Sequence, residues 1–425
     1  MKIRLDYGKT GLDVELPDKN AITVVAPKHL VGLPNQKKAI REALQNPIGS
    51  PPLRELVHPG NSIGIIFNDI TRPSPDHITI PALIDELETA GINRDQITLF
   101  NATGTHRPNT DQELRLMLGN EVVDTCHIIQ NDAHDKSAHI LVGSTPGGNK
   151  VLIHKAFLAS DVRILTGFIE PHFFAGFSGG GKAVMPGLAA LETISRNHNA
   201  SNIDHPQATW GITKGNPIWE EIHSAAAFAK PTFLVNVTLN RKKEITAVFA
   251  GDWLLAHQQG CAFVQKTAMI AVDQRFDIVI TSNSGYPLDL NLYQSVKGMS
   301  AAAQIVKKGG SIIVAAECWD GVPDHGNYGN ILKEAESTDQ LLETIRDPRF
   351  VKCDIWQVQT QALISQKADV YVYSDGLDNE TISRAMLHPC GGSIETTVEK
   401  LLEKYGQKAR ICILPEGPQT IPYVK

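Results

Sequence analysis

Short apolar runs alternate with amphipathic stretches along this chain, and that alternation restricts it to a parallel α/β architecture. Residues 62–67 read as a buried strand, 81–90 as a helix, 96–100 as the next strand and 111–118 as the next helix. Residues 162–166 form a further predicted strand, and 188–196 a helix after Pro186-Gly187. A second series begins near residue 277, with strands at 277–281, 311–316, 369–373 and 410–414 and a helix over 292–307. The chain of 425 residues is long enough for more than one core. The expected fold is therefore two α/β domains with Rossmann-like parallel sheets and an active site in the cleft between them. The expected bounds are 1–270 for the first domain and 275–405 for the second. The last strand and tail, 406–425, suit either domain.

Polar clusters follow the predicted strands. Asn68 to Pro73 follows one strand, Asn101 to Pro108 the next, and Gly167 to Gly187 a third. In the second series, Ser282 to Asp289 follows the first strand. Ligands of open parallel sheets bind outside the carboxyl ends of the strands, so these loops are the candidate site.

The segment 170–187 holds one histidine, one lysine and five glycines among eighteen residues. Glycines this dense cost too much chain entropy for a regular helix or strand. Gly176 to Lys182 matches G-x-x-x-x-G-K, the start of a phosphate-binding loop of nucleoside triphosphatases. The next residue excludes that reading. Ala183 has no hydroxyl for magnesium, and Pro186-Gly187 breaks the helix that must follow. A backbone cradle for a phosphate survives, with Lys182 as a cation or a point of attachment.

The net charge of −6 argues against a general nucleic-acid or anionic-membrane binder. The six cysteines contain no C-x-x-C pair, which argues against a zinc ribbon or a disulfide scaffold. The first residues lack the apolar core of a signal peptide, and no apolar run reaches the ~20 residues of a membrane span. The expected location is the cytoplasm, with no membrane or nucleic-acid partner.

Several side chains in these loops carry chemistry, and each also has a purely structural reading. Asp69 suits a helix cap, with Arg72 in a local ion pair; alternatively, Arg72 forks onto a ligand carboxylate or phosphate. His106 is either a hydrogen-bonded loop histidine or an acid/base. His172 heads a second loop on the same edge, and two histidines facing one cleft can serve both faces of a substrate carbon. His198 is a helix C-terminal histidine favoured by the dipole, or a metal ligand. No second ligand stands at metal spacing, so a metal there must arrive with other ligands. Tyr293 and Lys297, four apart on a predicted helix, share a face that is either solvated or turned to the cleft. Trp356 and residues 317–326 have the composition of cleft walls.

Six ordered motifs give this chain a specific resemblance along essentially its whole length. They are Asp69-Ile70-Thr71-Arg72-Pro73, Ala102 to Pro108, Glu170 to Gly187, Asn197-His198, Gly285 to Asp289, and Tyr293 to Met299. Together they resemble the lactate racemase family of nickel-pincer-nucleotide 2-hydroxyacid racemases and epimerases. The resemblance implies a pyridinium mononucleotide whose sulfur arms hold nickel, covalently attached to Lys182 and made by cofactor-biosynthesis proteins. It implies His198 as the nickel ligand and His106 and His172 as the acid/base pair. It gives Arg72 and Lys297 to the substrate's carboxylate and oxygen, and makes Tyr293, Gln294, Phe174 and Trp356 the pocket lining. Asp69, Thr71 and the Ser178-Gly179-Gly180 backbone are implied to hold the nucleotide. The implied reaction inverts C2 of a 2-hydroxyacid by reversible hydride transfer through a 2-oxoacid, because removing a proton from C2 would set a second negative charge beside the carboxylate. Two positions depart from the pattern of lactate-specific members: Gly181 stands where arginine is expected, and Thr105 where a bulky side chain is expected. Malate, aliphatic, aryl and aldonate 2-hydroxyacids are thus alternatives to lactate. A nicotinamide-dependent oxidoreductase is disfavoured, since no G-x-G-x-x-G follows the first strand. A non-catalytic nucleotide or small-acid binder is the reading from another class.

Overall fold

The computed structural model describes the chain except residues 18–20, 324, 325, 348 and 351. Within the expected cleft segment 317–326, Asp324 and His325 lie outside the described residues. The chain forms two compact units. The first comprises His29–His198 and Pro206–Gln265; the second comprises Met1–Lys28, Asn199–His205 and Lys266–Lys425. Residues 1–28 and 199–205 thus pack with the carboxy-terminal part of the chain, unlike the continuous stretch 1–270 expected from sequence. The reason is strand pairing. Ile22–Val24 lies parallel to Ile411–Leu414, which makes both ends of the chain part of one sheet. Three residues carry no pattern that sequence reading can detect.

The first unit is built on a six-stranded sheet. Across it run Ile245–Gly251, Phe233–Leu239, Val162–Phe168, Ile63–Asn68, Ile97–Ala102 and His127–Gln130. All neighbours are parallel except the hairpin of the first two. The central strands are buried on both faces and read as continuous apolar runs, as covered parallel strands do. Ile65, Phe67, Leu99, Ile164 and Val235 join Leu83 and Leu87 of the helix Asp76–Thr89 in one core. That helix begins upstream of the expected residue 81 and contains Pro81 in its interior. An interior proline costs about 3 kcal/mol. Each fully buried Leu or Ile recovers about 1.5–3 kcal/mol, and Ile80, Leu83 and Leu87 are all fully buried, so burial decides the helix start.

The chain leaves the strand Ile63–Asn68 toward one edge, through Ile97–Ala102 and His127–Gln130, then returns to place Val162–Phe168 on its other side. The sheet's topological switch point lies between Ile63–Asn68 and Val162–Phe168. The loops after those two strands are Asp69–Pro75 and the glycine-rich segment.

The second unit carries its own six-stranded, all-parallel sheet. Its order is His388–Pro389, Ala368–Tyr373, Val306–Ala315, Phe276–Ser282, Ile411–Leu414, Ile22–Val24. Its switch point lies between Phe276–Ser282 and Ile411–Leu414, where the Gly285-Tyr286-Pro287-Leu288-Asp289 loop emerges. The helix expected over 292–307 stops at Ala303. Lys367 and Arg275 donate to the terminal carbonyls of Ala303 and Gln304, and Val306 already opens the next strand. Among the described residues no helix is long and apolar enough to cross a membrane.

Candidate active site

The first unit's switch point gathers two groups of side chains. The first follows the strand Ile63–Asn68. Asp69 is 3% exposed, and its Oδ2 lies 2.7 Å from His106 Nδ1. An ionised carboxylate only accepts, so the proton between them sits on Nδ1. The Thr71 hydroxyl donates to both Asp69 oxygens at 2.9 and 3.0 Å. Burial alone pushes the Asp69 carboxyl up, but the His106 hydrogen bond and charge, with Arg72 and Thr71, outweigh it and hold the group below its usual range. Asp69 is thus a buried carboxylate bonded to a half-exposed histidine, the arrangement that orients an imidazole for acid/base work.

At the start of the following helix, Asp76 is also buried and accepts from the Ser74 hydroxyl at 2.7 Å. Burial raises its carboxyl to about 7, against the Ser74 and Asn68 hydrogen bonds and with the Asp69 charge in the same direction. An unfolded aspartate ionises near 4. Between about pH 4 and about pH 7 the native state therefore binds one proton more than the unfolded chain, and stability falls as pH rises through that window. The Asp69 contribution has the opposite sign: it is present above about pH 4 and is lost as pH falls through its depressed native value. Thermal denaturation from pH 3 to 8 is expected to show a decline in stability from about 4 to about 7 that Asp76→Asn flattens, with the acid limb retained.

The second group follows Val162–Phe168. His172 Nδ1 accepts from the Ala175 N–H at 3.2 Å, which leaves the neutral ring's proton on Nε2. Its ring stacks on Phe173 and meets the edge of Phe174. Phe174 also stands edge-on to His198, with centroids 5.0 Å apart, and Lys182 Nζ lies 5.9 Å from the Phe174 ring. Phe174 therefore touches His172, His198 and Lys182. His198 donates Nδ1–H to the Ile194 carbonyl at 3.1 Å, so its lone pair is on Nε2. Burial, then the Lys182 charge, pushes its pKa down to about 3, which keeps the ring neutral as a metal ligand must be. Among the described residues no three metal-ligating side chains cluster, so His198 can ligate only a metal that brings other donors.

The glycine-rich turn is held from behind. The Gly180 N–H donates to Asn236 Oδ1 at 2.8 Å, and the Ser178 hydroxyl donates to the Phe168 carbonyl at 2.9 Å. Gly179 and Gly180 have φ of +76° and +57°, which an L side chain rarely adopts. A Cβ on Gly176 would collide with the Ile212 carbonyl. The two groups are tied together by the Gly104 N–H donating to the Gly187 carbonyl at 3.1 Å.

The remaining expected pocket residues belong to the second unit. Tyr293, Gln294 and Lys297 lie on the helix Leu292–Ala303, capped by Asn291. Trp356 begins the helix Ile355–Lys367 and is buried. The Gln357 side chain donates to the Tyr293 carbonyl, which joins the two helices. Asp289 is fully buried and accepts the Gly8 and Glu317 N–H groups at 2.7 and 3.1 Å, a structural tie from its loop to two other segments of the unit.

Sequence reading missed Asn216, Asn236 and His257. Asn216 caps the helix Pro217–Phe228 and donates to the Phe174 and Ile212 carbonyls, both at 2.9 Å. Its signal was legible, since asparagine before proline marks a helix start. Asn236 was legible as the one amide inside the apolar run 233–237. Nothing local marks His257.

A buried carboxylate–histidine pair and a glycine turn with its lysine, set at the switch point of a parallel sheet, define an α/β enzyme. The lactate racemase N-terminal domain matches residues 7–211 and the C-terminal domain residues 272–421. The lactate racemase of Lactiplantibacillus plantarum is 36% identical over 421 residues, covering 98% of either chain. That of Thermoanaerobacterium thermosaccharolyticum is 35% identical over 427 residues, covering 99% of this chain and 98% of its own. The structure of a lactate racemase apoprotein from the latter organism superposes with a TM-score of 0.93 at 34% identity, over 99% of this chain and 100% of that one. A Thermotoga maritima protein shares the fold, with a TM-score of 0.68 at 19% identity over 93% of this chain and all of its own. The chain belongs to the lactate racemase family, and it is an isomerase of the racemase class.

Proposed function

We propose that this protein inverts C2 of a 2-hydroxyacid, lactate or a related acid, and that it does so on a nickel-pincer pyridinium nucleotide carried by Lys182. The observation that carries the reading is the cluster around Phe174, where a neutral buried histidine, a lysine and a candidate acid/base histidine share one ring. The residues fit such a group: His198 offers a single Nε2 lone pair, Lys182 a nucleophilic amine, and the Ser178–Gly180 turn its backbone. When bound, the nucleotide supplies a reversible hydride acceptor. Everything else falls to the chain.

Arg72 binds the substrate carboxylate, its planar fork matched to two oxygens. Lys297, on the second unit, is assigned to the carboxylate or hydroxyl oxygen. Phe174 of the first unit, and Tyr293, Gln294 and Trp356 of the second, are assigned to substrate binding, as the family resemblance implies. His106 takes the hydroxyl proton of one enantiomer as hydride leaves C2, while Asp69 holds its Nδ1–H and stabilises the imidazolium that forms. His172 is assigned to the other enantiomer, and to take up a proton its ring must release the Ala175 N–H from Nδ1. Asp69 and Thr71 were expected on the nucleotide; the bond of Asp69 to His106, and of Thr71 to Asp69, support assigning both to the positioning of that histidine instead.

Cofactor-loaded protein is to be given single enantiomers of lactate, malate, 2-hydroxybutyrate, phenyllactate and gluconate, with chiral chromatography of the products. The expected result is the opposite C2 configuration from at least one of them. A loaded protein that leaves every one unchanged rejects these acids as substrates. Thr105 beside His106 makes acids longer than lactate the ones to compare first.

A further inference from the structure

The glycine turn rests on a buried histidine that has no role in the reaction proposed above. His257, on the helix Trp253–Ala268, is completely buried. Its Nε2–H donates to the Ser178 carbonyl at 2.9 Å. Its ring lies so close to Gly180 that a Cβ there would collide with the imidazole. Behind it stands His223, on the helix Pro217–Phe228, with ring centroids 5.5 Å apart and planes 18° apart. His223 donates Nδ1–H to the Trp219 carbonyl at 2.9 Å and stacks on the Trp219 ring at 3.6 Å.

Carbonyls only accept, so the nitrogens facing them carry the protons, Nε2 of His257 and Nδ1 of His223, and the His223 Nε2–His257 Nδ1 contact at 3.4 Å holds none while both rings are neutral. Burial pushes both pKa values down, to about 4 and about 3, so both rings are neutral. His257 is thus a neutral, single-direction donor aimed at one peptide group. In a trans peptide the C=O and N–H lie in one plane and point in opposite directions. When the Ser178 carbonyl is turned onto His257, the Gly179 N–H of the same peptide is turned away from that helix. The next N–H, that of Gly180, is already committed to Asn236.

We propose that His257 is a positioning residue for the phosphate cradle: by holding the Ser178 carbonyl, it aims the Gly179 N–H at the anionic group the turn binds. This rests on reading the turn as the nucleotide's phosphate site. Gly180 must be glycine for the imidazole to reach the carbonyl. The Trp219–His223 stack fills the space behind the ring and keeps it in place. A phosphate bound to backbone N–H groups depends on their direction, so the loss of one oriented donor weakens binding without touching the ligand.

The test uses the full chain as purified without cofactor, and nicotinamide mononucleotide as a pyridinium ribose monophosphate probe. Binding is followed by calorimetry and by hydrogen exchange of residues 176–183. His257→Gln places an amide donor near the Nε2 position, and is expected to bind within about threefold of wild type. His257→Asn carries the same amide on a stem too short to reach, and His257→Leu carries none; both are expected to bind at least about tenfold more weakly. Probe-induced protection at 176–183 should be lost with them. His223→Phe keeps the stack and is expected to bind as wild type does. Equal binding by wild type, His257→Asn and His257→Leu, at matched melting temperatures, overturns the proposal. If His257→Leu does not fold, the Gln and Asn pair decides alone, since both retain an amide. Wild type that neither binds the probe nor gains protection at 176–183 overturns the cradle reading itself, a separate outcome.

Discussion

Lys182→Ala is expected to abolish racemisation and to prevent the mass increase that wild type gains on cofactor loading. The side chain is only partly buried, and its Nζ stands near the Phe174 ring that also touches His172 and His198. It follows directly on the Gly179–Gly181 turn, and its N–H donates to the Gly179 carbonyl at 3.2 Å. The turn therefore fixes where the amine starts. An alanine there leaves no amine for a covalent link, and activity is expected to fall on the order of 10³-fold or more, the scale seen when an essential group is deleted. Lys182→Arg separates attachment from charge: it retains the cation but not the amine, and is expected to be as inactive as alanine. Intact-mass spectrometry and the chiral assay together check this. Racemisation by unmodified Lys182→Ala protein rules out the attachment role. The substitution also removes the cation whose charge helps hold the His198 pKa down.

The second large effect concerns the Asp69–His106 pair. His106→Ala is expected to lower kcat by about 10²–10⁴-fold, the usual contribution of a positioned acid/base. Asp69→Asn keeps an acceptor for the Nδ1–H but removes the buried negative charge that stabilises the imidazolium. It is expected to lower kcat by about 10–100-fold, the range for a lost orienting partner, with KM little changed. Both changes are expected to lower kcat/KM equally in the two directions, since the enantiomers have equal free energy and each inversion uses both histidines, but to slow single-turnover formation of the 2-oxoacid chiefly from one enantiomer, because His172 is assigned to the other. Single-turnover formation of the 2-oxoacid, measured separately from each pure enantiomer, checks the asymmetry. Equal losses of single-turnover 2-oxoacid formation from both enantiomers, with intact cofactor, would falsify the division of labour between the two histidines, while leaving each histidine's importance in place.

What the sequence determined by itself is local. Ordered motifs identified the family, and apolar runs gave the strands 63–68, 97–102, 162–168 and 276–282 to within a residue or two at most ends. The glycines at 176–181 excluded regular structure, and the absent hydroxyl at Ala183 excluded a nucleoside-triphosphatase loop. These are properties of neighbouring residues, which side-chain sterics and periodicity encode directly. Tertiary structure decided the rest. The partnership of Asp69 with His106 spans 37 positions, and that of His257 with Ser178 spans 79; no periodicity links such residues. The helix start at Asp76 followed from burial of Ile80 and Leu83 rather than from Pro81. The pairing of Ile22–Val24 with Ile411–Leu414 joined the two ends of the chain in one sheet. Hydrogen-bond direction, burial and the resulting pKa shifts exist only once distant segments are packed, and it is packing that turned a list of polar residues into an oriented site.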